Sequence, residues 1–209
     1  AQLAGLVFVV GSMLAMGLSL TVAQIIQPLK NMRLVILALV ANFILVPALA
    51  YGITAIIPVS EGQRIGLILL GTAAGAPFLP KLAQAAKGNM AFSVGLMVLL
   101  MVVTVVFLPL VLPLLLAGVE VNPLDIASSL IITMLVPLAI GLFIKARYAD
   151  TAEHLQPTFA QASNTSLMLM MGILLMLNVR NILSVIGTGV IVAGIIFIVV
   201  SFVMGYLLG

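Results

Sequence analysis

The stretch Gly71-Thr72-Ala73-Ala74-Gly75-Ala76-Pro77-Phe78-Leu79-Pro80-Lys81 decides how this chain is read. It closes an apolar helical run, Ile65 to Ala74, and then sets two prolines three residues apart. Each proline removes a backbone donor and disfavours helix at the residue before it, so the backbone should open there. From Arg64 to Pro77 is about 20 Å of helix at 1.5 Å per residue, which puts the opening near the middle of a bilayer core of about 30 Å. Peptide groups bared at that depth are tolerated only against protein or a watery cavity. An interrupted span at the midplane points to a transporter's binding site. A proline kink without a ligand role is the plainer alternative.

Working outward, similar apolar runs fill the rest of the chain. Of 209 residues, 64% are hydrophobic and 6% charged, against roughly 25% charged in a soluble domain. Mean hydropathy is +1.42. Runs of about 20 apolar residues are long enough to span, and they predict seven helices near 3–22, 34–57, 64–87, 91–117, 124–146, 160–178 and 182–209. Each is far longer than the roughly 10 residues of a membrane strand, so the class is all-α and polytopic. The opening Ala1-Gln2-Leu3 has no charged leader region and reads as a span already under way, so an internal piece of a longer transporter is expected. Lys30, Arg33, Lys81, Lys87, Lys145 and Arg147 fall on one side and Arg64 and Arg180 on the other, which makes the first side cytoplasmic. The location expected is a plasma (inner) membrane.

Several functions are excluded by what the residues lack. There is no cysteine, hence no thiolate metal site or cysteine nucleophile. The single His154 follows Asp150 and Glu153 in what reads as a polar cytoplasmic loop, with no second histidine at ligand spacing. No Ser-His-Asp set or carboxylate pair lies within a span, so no catalytic or metal residue is assigned. The net charge of +3 comes from scattered basic residues, a topology signal rather than a nucleic-acid patch.

The polar residues inside spans carry the remaining candidates. Asn42 lies near mid-bilayer, where an unpaired amide costs a few kcal/mol; interhelical glue and solute contact are equally open readings. Ser93 and Thr104 can bond their own helix backbone, which is the plainer reading for both. Lys81 either meets an anionic solute or snorkels to the surface. Asn164, Thr165 and Ser166 read as an interfacial cap of the sixth span. Gly71 is spaced to allow close helix approach. Met168, Met170, Met171 and Met176 suit a sliding surface or simple lipid-facing filler, filler being preferred. Asn31 to Arg33 and Asn178 to Asn181 form faintly similar polar joints between spans.

Three stretches together resemble the bile acid:sodium symporter family: Met16-Gly17-Leu18-Ser19-Leu20, then Asn42-Phe43-Ile44-Leu45-Val46-Pro47-Ala48, and Gly66 through Ser93 with Gly88-Asn89 and Ser93-Val94. Gly205-Tyr206-Leu207-Leu208-Gly209 looks like the end of that family's eighth helix. The resemblance implies ten helices in two inverted repeats, divided into core and panel domains, with the seven spans as helices two to eight. The chain would be one transmembrane domain, 1–117 holding most of the first repeat and 118–209 the first part of the second. It also implies substrate contacts at Gly75, Ala76, Pro77, Phe78, Pro80, Lys81 and Asn42, and ion contacts at Asn42 and Ser93. The family's Ser-Asn pair falls on Leu79 and Pro80, and a second helix-five hydroxyl falls on Met97. Replacing three oxygens by Leu, Pro and Met removes chemistry that a hard cation wants, so the coupling ion is left as Na+ or H+.

The function expected is secondary transport of a small organic anion by alternating access. The alternative is a membrane scaffold or sensor that keeps the fold without transport. Steroid-like anions, small carboxylates and oxyanions all fall within what the resemblance implies. The partners expected are that anion and membrane lipid, with no nucleic acid and no organic cofactor.

Overall fold

The computed structural model describes residues 2–75, 79, 83, 86–115, 122–185 and 188–208. The elements are α1 (Gln2–Ser19), α2 (Val22–Ile26), α3 (Met32–Ile56), α4 (Glu61–Thr72), α5 (Met90–Leu115), α6 (Pro123–Arg147), α7 (Ala149–Val185) and α8 (Gly189–Leu208). Among the described residues six helices, α1, α3, α5, α6, α7 and α8, are long and apolar enough to cross a membrane. The chain is thus a multi-pass membrane protein. The expected third span is seen as α4, which has 12 residues and stops at Thr72.

The boundaries depart from the sequence reading at both ends of the chain. α1 stops at Ser19 because Thr21 starts a new helix, its hydroxyl accepting from the Gln24 N–H while the Gln24 side chain accepts from the Thr21 N–H. The polar stretch around His154 is not a loop but the first turns of α7, which is 37 residues long. At 1.5 Å per residue α7 measures about 55 Å, well beyond the bilayer core, so its first turns can be polar without leaving the helix. Lys145 of α6 pairs with Glu153 of α7 at 3.1 Å across the bend at Tyr148. Asn164, Thr165 and Ser166 therefore lie in mid-helix and cap nothing. Asn178 and Asn181 are helical too, Asn178 donating to Leu174 O. Asn31, by contrast, caps α3 by accepting from the Leu34 N–H, so the two polar joints do not correspond.

α3 and α6 share a device that the sequence reading missed. In α3 the residues Ala41–Leu45 widen into a π-helical turn, and the Val46 N–H reaches five residues back to Ala41 O. Pro47 follows and has no N–H. It thus removes an N–H that a carbonyl of this turn would otherwise accept from. In α6 the same turn covers Ile131–Leu135 and is followed by Pro137. In both helices the proline that follows the widened turn removes an N–H at mid-span.

Packing divides the helices into two groups. α1 lies along α7 and crosses α6, while α3, α4 and α8 pack on one another through Ala50, Ile53, Leu67, Ala193 and Phe197. Between them, α2 and α5 close a cluster rich in methionine: Met13 and Met16 of α1, Met97 and Met101 of α5, and Met134 of α6. On the outer face Met168 and Met176 of α7 are 77% and 81% exposed, as filler would be.

Two glycines set the α1/α6 crossing. A Cβ on Gly17 would lie 2.5 Å from Leu138 O and 2.8 Å from Gly141 Cα, and one on Gly141 would lie 2.7 Å from Leu14 O. The obstacle is backbone, which cannot rotate away. α1 is further tied to α7 by a Ser12–Ser163 hydroxyl contact and by Ser163 donating to Phe8 O. Gly17→Val should therefore destabilise the protein by about 3 kcal/mol, at the upper end of the range for overpacking. Gly194→Ala, which meets nothing within 4 Å, should be near neutral. Thermal melts of the purified variants in detergent compare the two; equal melting temperatures would contradict the backbone crossing.

Candidate functional site

α4 runs from a capping box at Ser60 and Gln63 to the middle of the fold and ends there abruptly. The Ala73 N–H still reaches Leu69 O at 3.0 Å, but Ala73 is extended and Gly75 has a φ of 80°. The interruption expected from Pro77 and Pro80 thus begins before either proline, at Ala73. Its cause is glycine as much as proline. Gly75 occupies the left-handed region that side chains disfavour, and a Cβ there would lie 2.5 Å from the Met101 N of α5.

A helix that stops inside the membrane leaves its last carbonyls without helical donors. Part of the remedy is Thr104 of α5, which is buried, its hydroxyl shared between Leu100 O at 2.8 Å and Ala74 O at 3.2 Å. The backbone reading of Thr104 is correct but incomplete, since the second bond bridges 30 residues and clamps the break onto α5. Gly71, one turn earlier, is the close contact anticipated for it: a Cβ there would lie 2.7 Å from the Ala50 Cβ of α3.

Beside the break is a half-open cavity of about 510 Å3 lined by α3, α4 and α8. Asn42, Ala73, Ala74, Phe197 and Ser201 are among its walls. Asn42 belongs to the π-helical turn and donates from Nδ2 to Ala38 O at 2.9 Å, so its Oδ1 faces no donor among the described residues. Ser201 Oγ is buried and has no hydrogen-bond partner among the described residues. Counting 1.5 Å per residue, Asn42 is about 15 Å into α3 and Ser201 about 18 Å into α8, so both sit at mid-membrane depth.

The expected site residues are only partly brought together. Asn42 shares the cavity with the end of α4, whereas Gly75 turns against α5 and is not in the cavity wall. Ser93 does not line it either. That hydroxyl donates to Asn89 O at 3.0 Å in the first turn of α5, where the Asn89 side chain accepts from the Phe92 N–H as an N-cap. Ala76, Pro77, Phe78, Pro80 and Lys81 lie outside the described residues. Leu79 and Met97, two of the positions that correspond to oxygen ligands in the resemblance, meet in the methionine-rich apolar cluster. Ser201 was missed in sequence, although a lone hydroxyl at mid-length of so apolar a helix was a usable signal.

A model of the sodium bile acid symporter family matches residues 5–185. The probable sodium/metabolite cotransporter BASS3, chloroplastic, of Arabidopsis thaliana is 28% identical over 197 residues, covering 94% of this chain and 46% of that protein. The chain thus spans about half the length of this relative.

Replacing Thr104 by valine keeps the shape and deletes the hydroxyl that bridges to Ala74 O. A buried carbonyl left without its donor costs about 1 to 3 kcal/mol. Thr104→Val should lower the melting temperature accordingly, while Thr54→Val, whose hydroxyl bonds only Tyr51 O on its own helix, should lower it by much less. Equal loss in the two variants would show that Thr104 does not hold the break.

Proposed function

Since the chain belongs to the sodium bile acid symporter family, we propose that it acts as a secondary transporter of a small organic anion by alternating access. The observation that carries this reading is the termination of α4 at Thr72, at mid-membrane depth and beside a cavity. Unpaired peptide groups at such a depth are what a solute can use. On this reading the substrate meets the segment from Gly75 to Lys81, with Asn42 nearby, and the Lys81 ammonium takes the anionic group by a charge-assisted contact.

The seven expected spans, α4 beginning the third, are assigned to helices two to eight of a ten-helix inverted repeat. Residues 1–117 form most of the first repeat and 118–209 the start of the second. The two packing groups support a division into a panel of α1, α6 and α7 and a core of α3, α4 and α8; α5, which lies between them, is assigned to the core. Alternating access needs these groups to shift without opening a void. Met13, Met16, Met97, Met101 and Met134 lie where they meet, and unbranched thioethers repack at little cost. The membrane proposed is a plasma (inner) membrane, with the Lys30, Lys87 and Lys145 side cytoplasmic.

A scaffold or sensor role is the second reading, favoured by the apolar filling at Leu79 and Met97. Uptake separates the two. Vesicles holding the protein in its full length should accumulate a labelled carboxylate saturably, from a panel running from pyruvate to steroid-like acids. Lys81→Met should lower uptake at least tenfold, in line with roughly 1.5 to 3 kcal/mol for a hydrogen bond to a charged group, and Pro77→Ala should lower it as well. No saturable uptake of any of the acids would leave the scaffold reading in possession.

A further inference from the structure

The chain passes from the group of α1, α6 and α7 to the group of α3, α4 and α8 through residues 20–31, and this crossing is folded. α1 ends at Ser19, α2 covers Val22–Ile26, a 3-10 turn covers Gln27–Lys30, and Asn31 caps α3. Thr21 is extended, with φ −103° and ψ 153°, so it separates α2 from α1, and its capping box with Gln24 supplies partners that the first turn of α2 needs. A helix of five residues is far below the roughly 12 to 15 that are marginal in isolation. α2 is therefore helical because of what it packs on.

That support is α5, which both α2 and the 3-10 turn touch. Within α2 Ile25 is buried, at 9% exposed, while Val22 and Ile26 are each 54% exposed. Ile25 enters the methionine-rich cluster with Met13 of α1, Met97, Val98 and Met101 of α5, and Leu138 of α6. Counting from Met90, the first residue of α5, Val98 is about 12 Å along the helix from the end beside Lys87. Ile25 thus closes the seam between the two groups from the end where Lys30 and Lys87 lie. The covalent consequence is one of length. Residues 22–30 span about 15 Å as folded, at 1.5 Å per residue in α2 and 2.0 Å in the 3-10 turn, and about 30 Å when extended. Undocking gives the tether about 15 Å of slack.

We propose that α2 is a strap that holds the two helix groups together at the Lys30 and Lys87 end of their seam: docked through Ile25 it shortens the tether and covers Val98, and undocked it lets the groups part. One isoleucine is a latch of suitable strength. Burying a side chain of this size favours docking by roughly 10- to 150-fold, enough to keep the strap down and little enough for it to lift by local unfolding while the rest of the fold stays intact. The thioethers of Met13, Met97 and Met101 can close over the space that Ile25 leaves. The part that the strap plays in transport rests on the alternating-access reading, but its docking does not and can be measured by itself.

Residues 1–209 contain no cysteine, so an introduced thiol reports alone once any cysteine elsewhere in the full-length protein is changed to serine. The probe is Val98→Cys, a near-isosteric change at a residue 7% exposed in the cluster, challenged in vesicles with a charged methanethiosulfonate on the face that bears Lys30 and Lys87. Where redocking outpaces the reagent, the labelling rate follows the undocked fraction. Ile25→Ala should raise that rate at least tenfold, and Ile25→Leu should return it to near the parent value. Thr21→Ala weakens the α2 cap without touching the cluster and should raise the rate about fivefold; it carries the comparison if Ile25→Ala fails to fold. A control thiol, Ala50→Cys, fully buried among α3, α4 and α8, should stay slow throughout. Labelling of Val98→Cys that neither strap variant changes overturns the proposal, as does an equal rise at Ala50→Cys, which would mean general loosening. Unchanged labelling beside saturable anion uptake would sink the strap and leave transport standing. Faster labelling in the strap variants, with no uptake in the parent protein, would support the strap and remove the transport reading.

Discussion

The structure depends on one constraint: a peptide carbonyl that loses its helical donor inside a membrane must find another partner. α4 meets it at Ala74, where Thr104 donates from α5, and at Ala73, where the chain borders a cavity. α3 and α6 meet it by widening a turn ahead of Pro47 and Pro137. These are unequal remedies. A hydroxyl clamp fixes the chain, whereas a cavity leaves oxygen available to something that is not protein.

Close approach of backbones makes the remedies geometrically possible. Gly75 lets the turned chain lie on the Met101 backbone, and Gly71 lets α4 lie on Ala50 of α3. Had either carried a large side chain, the α4 end would stand away from α3 and α5, and Thr104 would not reach Ala74 O. Gly17 and Gly141 do the same for α1 and α6 on the other side of the methionine-rich cluster. Glycine thus welds helices within each group, while methionine fills the space between groups. Backbone contacts at this range resist shear, and thioethers tolerate it.

How much was legible in the sequence follows from what each signal measures. Apolar run length located the six long helices, because span length is set by bilayer thickness and little else. It misjudged α7, since polar residues outside the bilayer core do not end a helix, and residues 149–159 look the same in sequence whether looped or helical. The break in α4 was found from Pro77 and Pro80, yet it begins at Ala73, because Gly75 needs a left-handed backbone that sequence shows only as permission. Asn42 was identifiable as a polar residue at depth, but its setting in a π-helical turn depends on Pro47 and on packing against α8. Thr104 and Ser201 show the limit most clearly. Both are hydroxyls inside apolar helices, and only tertiary structure reveals that one bridges to the end of another helix while the other bonds nothing among the described residues.

Ion pairing usually decides which charge a membrane cavity accepts, but among the described residues no ionised side chain lines this cavity. The described walls act on a charge through dipoles. The α4 terminus contributes roughly half an elementary negative charge, a term of ordinarily 0.3 to 1 kcal/mol that grows in partly buried settings. Carbonyls short of donors add dipoles of the same sign. A carboxylate approaching the end of α4 would meet the negative end of that dipole.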